Sequence, residues 1–159
     1  MKTFTIIAII SLFATISFSQ NSNSIDLAFL DLKQKVERNT EWQVYSQTDQ
    51  LIIEYKFENC NPRIGYDKES VILRFTNRNK FDIELNWHML LFYDGVCKTC
   101  EFPEEYDFTL NLTSFETIEG SCDLNSDYKT KIFSRFNDVN YTKGAVLTGF
   151  QFANYSETY

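Results

Sequence analysis

From Phe81 to Tyr93 every second side chain is large and apolar, with Ile83, Leu85, Trp87, Met89 and Leu91 between those ends. The intervening positions read Asp82, Glu84, Asn86 and His88 before turning apolar at Leu90 and Phe92. A period of two sends successive side chains to opposite faces, so this stretch predicts a long strand with one buried face. Its other face is wet at the start and apolar at the end. Either a bulge that restarts the register there or a second layer that covers that face accounts for the change. Shorter alternations recur: Leu51, Ile53, Tyr55 and Phe57 flank Glu54 and Lys56, and Val71, Leu73 and Phe75 flank Arg74.

Further strands are predicted at Trp42 to Tyr45, Tyr106 to Leu112, Ser114 to Ile118, Tyr128 to Phe136 and Ala145 to Ala153. Turn residues separate them at Asn77-Arg78-Asn79, Asp94-Gly95, Glu119-Gly120 and Lys143-Gly144. The 15 Phe, 9 Tyr and 2 Trp suit pleated surfaces better than helices. One segment departs from this pattern. Ile25, Phe29, Leu32 and Val36 follow a 3.6-residue period, with Ser24 able to cap and Asp26 in the first turn. The expected fold is therefore mainly β, an antiparallel β-sandwich with one N-terminal α-helix over Ile25 to Glu37. That helix is the expected cover for the apolar patch near Leu90. Val71 to Asn77 followed by Phe81 to Trp87 resembles the central hairpin of immunoglobulin-like extracellular modules, a likeness that implies a fold and no particular activity.

Lys2 followed by an apolar run from Phe4 to Ile16 and small residues at Ser17 and Ser19 has the pattern of an export leader. The expectation is a signal peptide over 1–19, cleavage before Gln20 and a single domain over 20–159 in the periplasm or outside the cell. The apolar run is shorter and more interrupted than the roughly 18 residues that a stable membrane span needs. The chain carries 15 Lys and Arg against 22 Asp and Glu, a net of −7, and loss of Lys2 makes it more acidic. That balance repels phosphate backbones, which argues against nucleic acid, and favours a basic protein partner. Composition does not address the oligomeric state.

All four cysteines, Cys60, Cys97, Cys100 and Cys122, follow the leader, and an even number in an oxidising compartment is expected to pair. Of the three connectivities, Cys60 with Cys122 and Cys97 with Cys100 is preferred. The long loop closed by the first constrains the unfolded chain by roughly 4 kcal/mol, the short one by about 2. The block Tyr93-Asp94-Gly95-Val96-Cys97-Lys98-Thr99-Cys100 resembles the active segment of DCC-type thiol-disulfide oxidoreductases. The resemblance implies Cys97 as attacking thiolate and Cys100 as resolving thiol. The flanking residues read differently. Glu101, Glu104 and Glu105 would raise a thiol pKa, and strand-like alternation resumes at Tyr106, which favours a structural crosslink.

Other chemistry-bearing groups are sparse. Asp123, Asn125 and Asp127 match the first oxygen ligands of a calcium loop, but Tyr128 and Ser134 stand where the turn glycine and the bidentate Glu belong. His88 is the only histidine and is expected on the wet face beside Glu84 and Asn86. Glu101, Glu104, Glu105 and Asp107 read as an acidic rim. Trp42, Tyr66 and Tyr141 are the binding candidates, as a protein hot spot or a sugar-stacking platform. Asn111, Asn140 and Asn154 head N-x-S/T sequons. No catalytic residue, cofactor or metal is expected. The expected role is non-catalytic binding of a protein partner, with a thiol-disulfide oxidoreductase and a carbohydrate-binding module as alternatives.

Overall fold

Two antiparallel sheets contribute to one core in the computed structural model, which describes residues 24–33, 38–60, 67–123, 125–138 and 144–159. The proposed leader at 1–19 lies outside the described residues. The strands are β1 (Leu30–Asp31), β2 (Gln43–Gln47), β3 (Leu51–Cys60), β4 (Lys68–Asn77), β5 (Ile83–Tyr93), β6 (Val96–Cys97), β7 (Asp107–Leu112), β8 (Thr117–Glu119), β9 (Lys131–Phe136) and β10 (Leu147–Thr158). The first sheet runs β1-β10-β5, with β7 and β6 paired to successive lengths of the far side of β5. The second runs β2-β3-β4, with β8 and β9 sharing β4 in the same way.

The predicted alternations become the core. Ile53, Tyr55 and Phe57 of β3, Leu73 and Phe75 of β4, and Leu85, Trp87 and Met89 of β5 are all buried in one cluster with Phe150 and Phe152 of β10. Phe75 stacks on Trp87 at 5.4 Å between centroids, and Phe152 lies 5.2 Å from Trp87, so aromatic rings from both sheets interleave. Two tyrosines pin the layers with hydrogen bonds. Tyr45 on β2 donates to the Ala28 carbonyl at 2.9 Å and accepts from the Phe152 amide at 3.2 Å. Tyr93 on β5 donates to the Phe133 carbonyl of β9 at 2.7 Å.

The N-terminal helix is not found. Over its described part the segment is extended along β10: the Ile25 and Tyr155 amides and carbonyls exchange bonds of 2.8 and 2.7 Å, Leu27 N donates to Phe152 O, and Leu32 N donates to Thr148 O. Ile25, Leu27 and Phe29 also satisfy a period of two, so local spacing admits both readings. The open edge of β10 selects the extended one, because it supplies partners for backbone groups that both segments would otherwise leave to water. Residues 34–37 of the expected helix lie outside the described residues. Phe29 still covers the apolar end of β5, meeting Phe92 edge-on at 5.0 Å. A side chain at Gly149 would overlap Phe29, which explains a glycine where β1 crosses β10. Among the described residues the one α-helix is a single turn, α1 (Pro103–Tyr106), opened by proline with Glu104 and Glu105 in its first turn. Strands also start later than expected: β5 begins at Ile83 and leaves Phe81 exposed, Ser114 and Phe115 form a turn before β8, a 3-10 turn at Tyr128–Thr130 precedes β9, and β10 begins at Leu147.

Both cysteine pairs form as preferred. Cys60 and Cys122 bond across 5.2 Å between Cα atoms, and Cys97 and Cys100 across 5.8 Å. The Cys60 sulfur lies 3.5 Å from the Ser70 hydroxyl, so the first bridge ties residues 121–123 to the outer face of β3 and β4. At the same end of the sheets, buried Glu69 accepts from Ser134 and from the guanidinium groups of Arg38 and Arg135.

Asn77 closes β4 with a fully used amide. Its Nδ2 donates to the carbonyls of Phe81, Leu112 and Thr113, and its Oδ1 accepts from the Asn79 amide. Asn77→Ala would strand those groups in a site 1 % exposed. We expect a loss of about 2–4 kcal/mol, read as a lower urea midpoint with unchanged slope. Burial also pushes the Tyr45 phenol up to about 12 and raises Tyr93 and Tyr155 above the ordinary tyrosine range, the last aided by its bond to Glu157. Below about pH 10 both states keep these protons and the contribution to stability is complete. Above it the unfolded chain ionises while the native one does not, so stability falls with rising pH. These phenolates should therefore appear only with loss of near-UV circular dichroism.

Candidate functional site

The C-x-x-C segment completes a gap in the first sheet. β7 pairs with β5 over Ile83 to His88 and β6 pairs over Phe92 to Tyr93, which leaves Met89 to Leu91 between them. Thr99 fills that gap with its side chain. Its hydroxyl donates to Met89 O at 2.7 Å and accepts from Leu91 N at 2.9 Å, while Lys98 N donates to Leu91 O at 2.8 Å. Cys97 ends β6 rather than opening a helix, and α1 starts beyond Cys100 with two carboxylates in its only turn. Those charges oppose a thiolate. The bridge holds Thr99, 2 % exposed, in the position of a missing strand residue. Thr99→Val should cost about 2 kcal/mol and accelerate hydrogen exchange at the Leu91 amide. Unchanged exchange there would remove the clamp assignment.

The remaining sequence candidates are also placed. Asp123 accepts from the Ser121 hydroxyl, and Asp127 caps the 3-10 turn through the Lys129 amide. Lys131 reaches the Asp123 carbonyl at 2.8 Å, and burial and the neighbouring Lys68 lower its pKa while Asp123 opposes them. Asp123, Asn125 and Asp127 line one recess, yet among the described residues no three His, Cys, Asp or Glu side chains are grouped to hold a metal ion. Trp42 lies over the outer face of the second sheet, 4.1 Å from the Arg74 guanidinium and 4.7 Å from the Lys56 ammonium. Arg74 pairs with Glu54 at 2.8 Å and Lys56 with Glu58 at 3.1 Å, so the indole caps an ion network internal to the chain. Tyr66 and Tyr141 lie outside the described residues.

The outer face of the first sheet holds a groove of about 250 Å³, lined by Asn86 and His88 of β5, Asp107 and Thr109 of β7, and Asn154 of β10, with Trp87 and Phe108 between them. Cross-strand register builds it: Asn86 faces Thr109, His88 faces Asp107, and Ala153 faces His88 from the other side. Between Ala153 and Ser156, β10 carries an extra residue, and Asn154 takes a left-handed backbone with φ of 51°. This bulge turns the Asn154 side chain toward solvent over the groove while Tyr155 stays buried. Asp26 secures the bulge by accepting from the Asn154 amide at 2.9 Å.

His88 was expected on the wet face beside Glu84 and Asn86; it lies on that face but is only 7 % exposed, and its carboxylate partner, through Nδ1 at 2.6 Å, is Asp107. Thr109 donates to Asn86 Oδ1 at 2.6 Å, and Asn86 donates to Glu84 at 3.0 Å. Asp107 follows directly on α1, so Glu104 and Glu105 stand just before it in the chain. The sequence offered Asn154 only as a sequon and grouped Asp107 with its acidic neighbours. Nothing local links either to His88, since register and the bulge bring them together. Compared with protein-family models, curated proteins and solved structures, the chain matches none.

Proposed function

We propose that the chain is an exported, non-catalytic binding module on an immunoglobulin-like sandwich, and that it recognises a basic protein. The main support is the groove on the first sheet. Its lining offers carboxylate, hydroxyl and amide oxygen acceptors and, from a neutral ring, an imidazole nitrogen, with Glu84 bonded to its floor and α1 carboxylates beside it in sequence. A positively charged surface is the complement of such a lining. Two disulfides in the described chain, and the absence among the described residues of a helix long and apolar enough to cross a membrane, agree with an exported life. The groups most suited to chemistry have structural partners, with the thiols paired, His88 on Asp107 and Trp42 on two cations.

Thiol-disulfide exchange at Cys97 and Cys100 is the alternative, and the exposure of Cys100 favours it. Octalysine is a suitable probe for the first reading. Its binding should weaken steeply with ionic strength, and Glu104→Gln/Glu105→Gln should weaken it about tenfold. A control removing equal charge elsewhere, Glu41→Gln/Asp49→Asn, should change it by less than about twofold. Equal losses in both variants would mean binding to net charge alone and end the proposal. Lack of binding, together with a reduction potential far above that of a structural crosslink, would favour the exchange reading.

A further inference from the structure

We infer that the groove between β5, β7 and β10 seats a single lysine side chain of the basic partner, an assignment that rests on the binding role proposed above. An ionised carboxylate only accepts hydrogen bonds, so the 2.6 Å contact between Asp107 and His88 requires the proton to sit on Nδ1. In its neutral form the ring then presents Nε2 as an acceptor. Asp107 is the ring's one hydrogen-bond partner among the described residues, and His88 lines the groove although it is more than nine-tenths buried. The second oxygen of Asp107 remains, on a side chain that is 62 % exposed. Thr109 spends its hydroxyl proton on Asn86, and Asn86 directs its amide toward Glu84. Three strands thus bring acceptors to one place, with donors from the Asn86 and Asn154 amides and from the Lys129 ammonium, which reaches the Thr109 carbonyl at 3.0 Å.

The best complement is a compact cation with three donors and no lone pair, which is an alkylammonium. A guanidinium fits less well. It binds most strongly in the plane of a carboxylate using both oxygens, and His88 already occupies Oδ1 of Asp107. Sugar hydroxyls bring lone pairs that need donors, and the Asn86 and Lys129 donors are directed at Glu84 and the Thr109 carbonyl. The volume, below the usual range for a drug-sized ligand, suits one extended side chain.

His88 is the chain's only histidine, so its ring nitrogens are a unique nuclear magnetic resonance signal. Octalysine and n-butylamine should both displace the Nε2 resonance, and octaarginine should bind about tenfold more weakly than octalysine without displacing it. Asp107→Asn should weaken octalysine about tenfold. Asn154→Gly keeps the left-handed backbone open to the chain and should weaken octalysine about threefold. Near-UV circular dichroism checks that both variants remain folded. Salt-sensitive octalysine binding with a motionless His88 signal and no effect of Asp107→Asn would overturn the lysine seat and leave the basic-partner reading standing. A His88 response to butylamine without any octalysine binding would overturn the partner reading, and the protein source of the amine with it.

Discussion

Trp87 stacks between Phe75 of the opposite sheet and Phe152 of the neighbouring strand, and the rest of the molecule takes its orientation from that contact. Because side chains alternate along a strand, holding Trp87 inward holds Asn86 and His88 outward. A slip of one residue would turn Asn86 and His88 toward the core and the indole away from it. The antiparallel pairing of β5 with β7 then carries the constraint sideways, placing Asp107 opposite His88 and Thr109 opposite Asn86. The groove is thus a consequence of core packing on the reverse face of the same strands.

The disulfides act on what lies outside that core. Cys60–Cys122 holds a polar loop against the outside of the second sheet, where the loop has little apolar surface of its own to bury. Cys97–Cys100 shapes a tight excursion so that Thr99 can serve as a surrogate for strand backbone along Met89 to Leu91. In both cases a covalent bond substitutes for burial. The two outer faces differ accordingly. The second sheet closes its charges on one another beneath Trp42, whereas the first leaves acceptors open to solvent in the His88 groove.

Much of the fold was legible because period-two patterns are local and strong. The alternations around Ile53, Leu73 and Trp87 all became inward faces, and the preferred cysteine pairing formed. The N-terminal segment was not legible, since Ile25, Phe29 and Leu32 fit a helix while Ile25, Leu27 and Phe29 fit a strand. Only the unfilled edge of β10 decides between them. The groove was partly legible. His88 and the acidic run near Asp107 stood out as residue types, but their pairing depends on register between segments separated by a turn, a bridge and a helix. Asn154 depends on a bulge that no spacing rule announces.

By itself the sequence determined a β architecture, an acidic surface and two crosslinks, because alternation, charge and cysteine number act through short-range or additive physics. Which residues share a site was decided only by the tertiary structure. A hydrogen bond such as that between His88 and Asp107 needs both groups placed within a fraction of an ångström. That placement comes from the packing of two sheets, not from any one stretch of chain.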